Sequence, residues 1–184
     1  LFFMRFYHLV LCGILVISMQ TLSAQESGSG PILEEFGSVF SIPEPDLILD
    51  SEKIYKILFD IYTDQGGDSK INPLLNTVAR FLNMHGQTSL TKDQMDVVVI
   101  LHGAGAKNAL NEEAYRKKFG RSNPNASLLQ ALDGIGVNLY ICGQSLYSRG
   151  FTPEDLAEPV KLSLSAMTAL VHFQEEGYQL INFN

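Results

Sequence analysis

The six residues Asp96 to Leu101, DVVVIL, form an almost uninterrupted apolar run. A strand with one wet face alternates apolar and polar side chains. A run without that alternation fits a strand of a parallel sheet covered on both faces.

The rest of the chain reads as more of the same kind of unit. Lys53 to Ile61 is a first strand, and a polar loop containing Gly66-Gly67 separates it from a helix. Asn72 caps that helix, Pro73 takes its first position, and Leu75, Val78, Ala79 and Leu82 share one face before the stop at His85-Gly86. After the DVVVIL strand comes a polar helix, Asn111 to Phe119, in which Glu113 and Lys117 are placed to pair. Asn123-Pro124 repeats the opening device for a helix with Leu128, Leu129 and Leu132 facing inward and Gly134 at its end. The third strand is VNLYIC, Val137 to Cys142. Thr152-Pro153-Glu154-Asp155 starts a short helix, Val160 to Leu164 is a fourth strand, Ser165 to Glu176 a helix, and Tyr178 to Phe183 the last strand. Five strands separated by helices predict an α/β fold, a three-layer sandwich with a five-stranded, mostly parallel sheet flanked by helices. Strand order is not encoded in this pattern.

Residues 1–24 read as a secretory signal peptide, with Arg5, an apolar run of about eleven residues from Leu9 to Met19, and Leu22-Ser23-Ala24 before the cut; Met4 is the expected initiator. A spanning helix needs roughly twenty apolar residues, so no permanent membrane anchor is expected. Cys12 follows Leu9-Val10-Leu11 and lacks the small residues that precede a lipidated cysteine. The expected compartment is periplasmic or secreted. Residues 25–51 are expected to be a flexible amino-terminal arm, disordered over its first six residues, and residues 52–184 the α/β domain. The apolar side chains of the arm, Ile32 to Ile42, suggest that it lies on the domain or on a neighbouring subunit.

Loss of the signal peptide removes Arg5 and no acid, taking the net charge from −7 to −8. Phosphate binding needs a basic face, so no nucleic-acid partner is expected. Cys12 leaves too, and Cys142 becomes the sole thiol of an exported chain, with no partner for an intramolecular disulfide.

In open parallel sheets, reactive groups collect at the carboxyl ends of the strands. The residues leaving the first four strands there are Asp60 to Asp64, His102-Gly103, Cys142-Gly143-Gln144 and Ser165. Gly143 would let the chain turn sharply under the thiol, and amides beyond the strand would stabilise a thiolate; packing is the competing reading of Cys142. His102 is either a base or donor beside it or a histidine bonded to a local carbonyl, and His85 and His172 read as structural. His102 to Asn108, HGAGAKN, lacks the third glycine of a dinucleotide loop. Asp60, Asp64 and Asp68 read as solvated turn residues. No cofactor and no metal site is expected, because one cysteine and scattered histidines lack ligand spacing.

The strand ending ICGQS, the Arg149-Gly150 pair seven residues beyond the cysteine and the closing LVHFQEEGYQLINF resemble the DsrE/DsrF-like (DsrE/TusD-type) sulfur-relay family, from about Lys53 to Phe183. The resemblance implies a parallel sheet of five strands, a homo-oligomer (dimer, trimer or hexamer), and a persulfide on Cys142 with Arg149 beside it; His102, Gly103, Gly143 and Gln144, read from the strand ends, are expected to support that site. It also implies thiol or persulfide donor and acceptor proteins as partners. Gly143-Gln144-Ser145 departs from the more apolar residues of cytoplasmic members. The alternative is a non-enzymatic oligomeric ligand-binding or scaffold protein of the same fold, with Cys142 structural or a redox sensor.

Overall fold

The computed structural model describes residues 26–88 and 90–183; the signal-peptide expectation falls on residues 1–24 and lies outside the described residues. In chain order the elements are β1 (Tyr55–Ile61), α1 (Pro73–Gly86), β2 (Met95–Leu101), α2 (Glu112–Phe119), α3 (Ala126–Gly134), β3 (Asn138–Cys142), α4 (Gly143–Ser148), β4 (Val160–Ser163), α5 (Ala166–Glu175) and β5 (Gln179–Asn182). The five strands form one all-parallel sheet in the order β4-β3-β2-β1-β5. The DVVVIL run accordingly sits in the central strand, where Val97 to Leu101 are all fully buried.

The two faces are covered unequally. On one, Phe59, Ile61, Val99, Leu101 and Ile141 meet α1, α2 and α3 through Leu75, Val78, Tyr115, Leu128 and Leu132. On the other, Leu58, Val98, Ile100 and Cys142 meet Ala166 and Ala169 of α5. Small residues let that helix lie close to the sheet, and its outer side leaves Met167 76 % and Val171 57 % exposed. The edge strands β4 and β5 are short and half wet, which limits edge-to-edge pairing.

The expected opening of α3 needs correction. Asn123-Pro124 does not start it: the helix begins at Ala126 with Asn125 as its first flanking residue and no side-chain cap. Both asparagines are used elsewhere. Asn123 Nδ2 donates to the carbonyls of Asn108 and Leu110, and Asn125 Oδ1 accepts from the Asn72 amide at 2.8 Å. These buried side chains tie three loops together, and satisfying those loops' backbone groups outweighs a local cap.

Of the arm, Leu33 and Val39 are buried, and Gly28 and Val39 exchange backbone hydrogen bonds. The arm lies along α1, where the fully buried Asn83 binds its backbone.

Candidate functional site

β3 delivers Cys142 to the carboxyl edge of the sheet, and the chain does not turn there. It runs directly into α4, with Cys142 as the capping residue at φ −68°, ψ 115°. Gly143 is the first helical residue and is not one of the glycines with positive φ. Its role is close approach: a Cβ at this position would lie 2.8 Å from the Ser163 carbonyl oxygen and 3.2 Å from that of Leu164. The expected glycine turn is therefore replaced by a strand-to-helix junction pressed against the end of β4.

Cys142 is 5 % exposed. Burial pushes its pKa up; the hydroxyl and amide of Ser145, then the amides of Ala166 and Gln144, pull it down further, so that it lies below the ordinary thiol value. The Ser145 N–H reaches Sγ at 3.4 Å. Ser145 Oγ in turn accepts from the Gly103 N–H at 3.0 Å. That bond occupies a lone pair of the hydroxyl and leaves its proton free to face the sulfur. Gly103 holds this position at φ +52°, where a Cβ would meet the Tyr62 carbonyl oxygen at 2.8 Å.

Ser145 and Ala166 were not singled out from the sequence. Ser145 stands three residues after Cys142, the spacing of a cap and its third-position amide, and would have been legible had a helix been expected to start at Gly143. Ala166 opens α5, a distant element, and nothing local announces it.

His102 continues β2 in extended form beside the end of β3. Its Nε2 lies 2.7 Å from Asp60 Oδ1 on β1, and Asn182 Nδ2 reaches the other carboxylate oxygen at 3.4 Å. The partner is thus a largely buried carboxylate, neither a local carbonyl nor the sulfur, and His102 is not among the groups that set the thiol's pKa. Gln144 is exposed, with its side-chain amide 3.5 Å from the Leu164 carbonyl oxygen, and contributes to the thiol only through its backbone.

Arg149 does not return over the sulfur. It closes α4 at the opposite end from Cys142, on the order of 10 Å along the helix, and lines a cavity with Lys107 and Lys118. Asp64, unlike Asp68, is not the solvated turn residue expected: its side chain is buried, whereas that of Asp68 is half exposed. Asp64, 1 % exposed in its side chain, and Asp68 both pair with Lys107, at 3.1 and 2.5 Å. Asp64 can be buried because Lys107 neutralises it. Among the described residues no group of three or more acids, histidines and cysteines converges as a cation's ligands would.

The arrangement surrounds Sγ with amide and hydroxyl donors that favour its thiolate form, and none of the groups acting on it is a base. It suits a nucleophile activated by hydrogen-bond donors.

The DsrE/DsrF-like family profile matches residues 56–183. No curated protein matches the sequence. Among solved structures, the chain is similar to MTH1491 of Methanobacterium thermoautotrophicum, described as a protein of unknown function. The TM-score is 0.54 at 20 % identity, over 70 % of this chain and 99 % of that one. It is likewise similar to the YchN protein of E. coli, with a TM-score of 0.54 at 15 % identity, over 71 % of this chain and all of the other. These two likenesses show the fold, and the profile, which spans well over half of the chain, shows that the protein belongs to the DsrE/DsrF-like family.

Proposed function

We propose that Cys142 carries sulfur as a persulfide. The family is in general one of sulfur-relay proteins. The observation that carries the reading for this chain is the set of donors on Sγ: the Ser145 amide and hydroxyl with the Ala166 and Gln144 amides, which favour thiolate in spite of burial. Only thiolate attacks. The Cys142 thiolate bonds to the outer sulfur of a donor persulfide R–S–SH; the S–S bond of the donor breaks and R–S⁻ leaves with the electron pair. Cys142–S–SH then yields its outer sulfur to an acceptor thiolate and returns as thiolate. No net oxidation occurs, and no cofactor is needed for the balance.

We extend the proposal to a homo-oligomer working outside the cytoplasm with thiol or persulfide donor and acceptor proteins. The support is the signal-peptide pattern of residues 1–24 and the apolar exposure of Leu164, Met167 and Val171 on the α5 side of the sheet.

The 5 % exposure of Cys142 favours a second reading, that of a packed cysteine. One experiment separates the two. Purified protein is incubated with a polysulfide or protein persulfide donor and weighed by native mass spectrometry, alongside Cys142→Ser. The carrier gains sulfur mass that the variant does not, and its thiol labels in the folded state. A thiol that labels only on denaturation, with no sulfur gained, would overturn the carrier.

A further inference from the structure

Lys118 and Arg149 line a cavity of about 470 Å³ together with Phe119, Phe151 and the Lys107 pair, and neither has an ion-pair partner among the described residues. The volume lies inside the ordinary range for small-molecule sites, roughly 300–1,000 Å³. The two acids of the cavity, Asp64 and Asp68, are both taken by Lys107. Lys107 is itself only 14 % exposed in its side chain and lies 5.5 Å from the centre of the Phe119 ring. The floor is therefore fixed and internally neutralised, with one charge left over on the acidic side; the mouth carries two unspent cations.

An adjoining hollow of about 240 Å³ shares Lys118, Arg149 and Phe151 and adds Lys117 and Asp155. Asp155 is engaged by the Thr152 N–H at 2.8 Å and hydroxyl at 3.2 Å. Over both hollows four cations face three carboxylates, a local charge of +1 on a chain whose net charge is −7. Burial lowers the Lys107 pKa, but its two carboxylate partners outweigh this and hold the ammonium charged, so that the excess persists.

We infer that this cavity binds a small organic anion, its carboxylate or sulfonate held by Arg149 and Lys118 and its apolar body against Phe119 and Phe151. Arginine supplies a planar fork for such a group, and lysine a second point charge. The volume exceeds what an inorganic oxyanion fills, and the two aromatic walls give it no partner, so the ligand has an apolar part. The site is distinct from the thiol: Cys142 and Arg149 lie at opposite ends of α4, and the inference stands whether or not Cys142 carries sulfur.

The test uses the whole chain and naphthalene-2-sulfonate as the probe, followed by calorimetry and by NMR shifts of the Phe119, Phe151 and Arg149 amides. The sulfonate is expected to bind, to weaken with added salt, and to move those three amides. The neutral analogue naphthalene-2-methanol and inorganic sulfate are each expected to bind at least about tenfold more weakly. Lys118→Gln with Arg149→Gln, both exposed and remote from the core, is expected to fold with an unchanged melting temperature and to lose at least about tenfold in affinity. Cys142→Ser is expected to bind as the parent does. Absence of binding, equal binding of the neutral analogue, equal binding of sulfate, or an unaffected double variant would each overturn the assignment.

Discussion

Replacing Asn83 with alanine is expected to release the amino-terminal arm from α1. The carboxamide is fully buried and meets five backbone groups of the arm. Oδ1 accepts from the amides of Ile32 at 3.0 Å and Leu33 at 2.8 Å, while Nδ2 donates to the carbonyls of Leu33 at 2.9 Å, Phe36 at 2.8 Å and Gly37 at 3.0 Å. Two outcomes compete in the variant. Staying docked leaves those groups unpaired at about 1–3 kcal/mol each, about 5–15 kcal/mol in all. Detaching hydrates them all and exposes Leu33 and Val39, at about 1.5–3 kcal/mol for each side chain. Detachment costs less, so Asn83→Ala is expected to lose about 3–6 kcal/mol, with the damage confined to the arm. Urea denaturation measures the loss. Hydrogen exchange locates it, with the Ile32 and Leu33 amides exchanging freely while those of β2 stay protected. A loss below about 1 kcal/mol with both arm amides still protected would show that the carboxamide does not hold the arm.

Ser145→Ala removes the hydroxyl that Gly103 orients toward the sulfur, and the pH profile of Cys142 alkylation is expected to move upward, with Ser145→Thr restoring it; an unmoved profile in the alanine variant refutes the role of the hydroxyl. The folded thiol has its pKa below the unfolded value, so it contributes stability that is complete above the unfolded pKa and is lost as pH falls through the folded pKa. Urea midpoints should therefore rise with pH in the parent relative to Cys142→Ser, and a fall would reverse the assigned donors. Gly143→Ala forces a methyl to within 2.8 Å of a backbone oxygen and is expected to cost about 1–3 kcal/mol by thermal unfolding. Lys107→Met strands the buried Asp64 carboxylate and is expected to cost about 3–5 kcal/mol, part of which Asp64→Asn in the same chain should recover in chemical denaturation.

Much of the candidate site was legible because it is built from strand ends. The apolar residues of KIYKILFDI, the unbroken DVVVIL run and the apolar stretch before Cys142 each report burial through side chains a few residues apart, and the thiol's position at the sheet edge follows from where its strand stops. The Asn72-Pro73 start of α1 was legible for the same reason, because a cap and its helix are adjacent. The same device misled at Asn123-Pro124, where an asparagine that looks like a cap is spent on carbonyls thirteen and fifteen residues away.

Local pattern, then, determines most of the elements, their burial and the parallel α/β class, since these depend on neighbours in the chain, although it missed α4. It does not carry the strand order β4-β3-β2-β1-β5, which is decided by which crossovers pack on which face. Nor does it carry the contacts that define the site. Gly143 is required by a β4 carbonyl twenty residues on, Gly103 meets Ser145 across 42 residues, and His102 pairs with Asp60 across another 42. Arg149 follows Cys142 closely in sequence, yet the intervening helix sets the two at opposite ends and sends the arginine to a different cavity. Such pairings are settled when the sheet closes, because a buried polar group takes whichever partner the packed elements bring within reach.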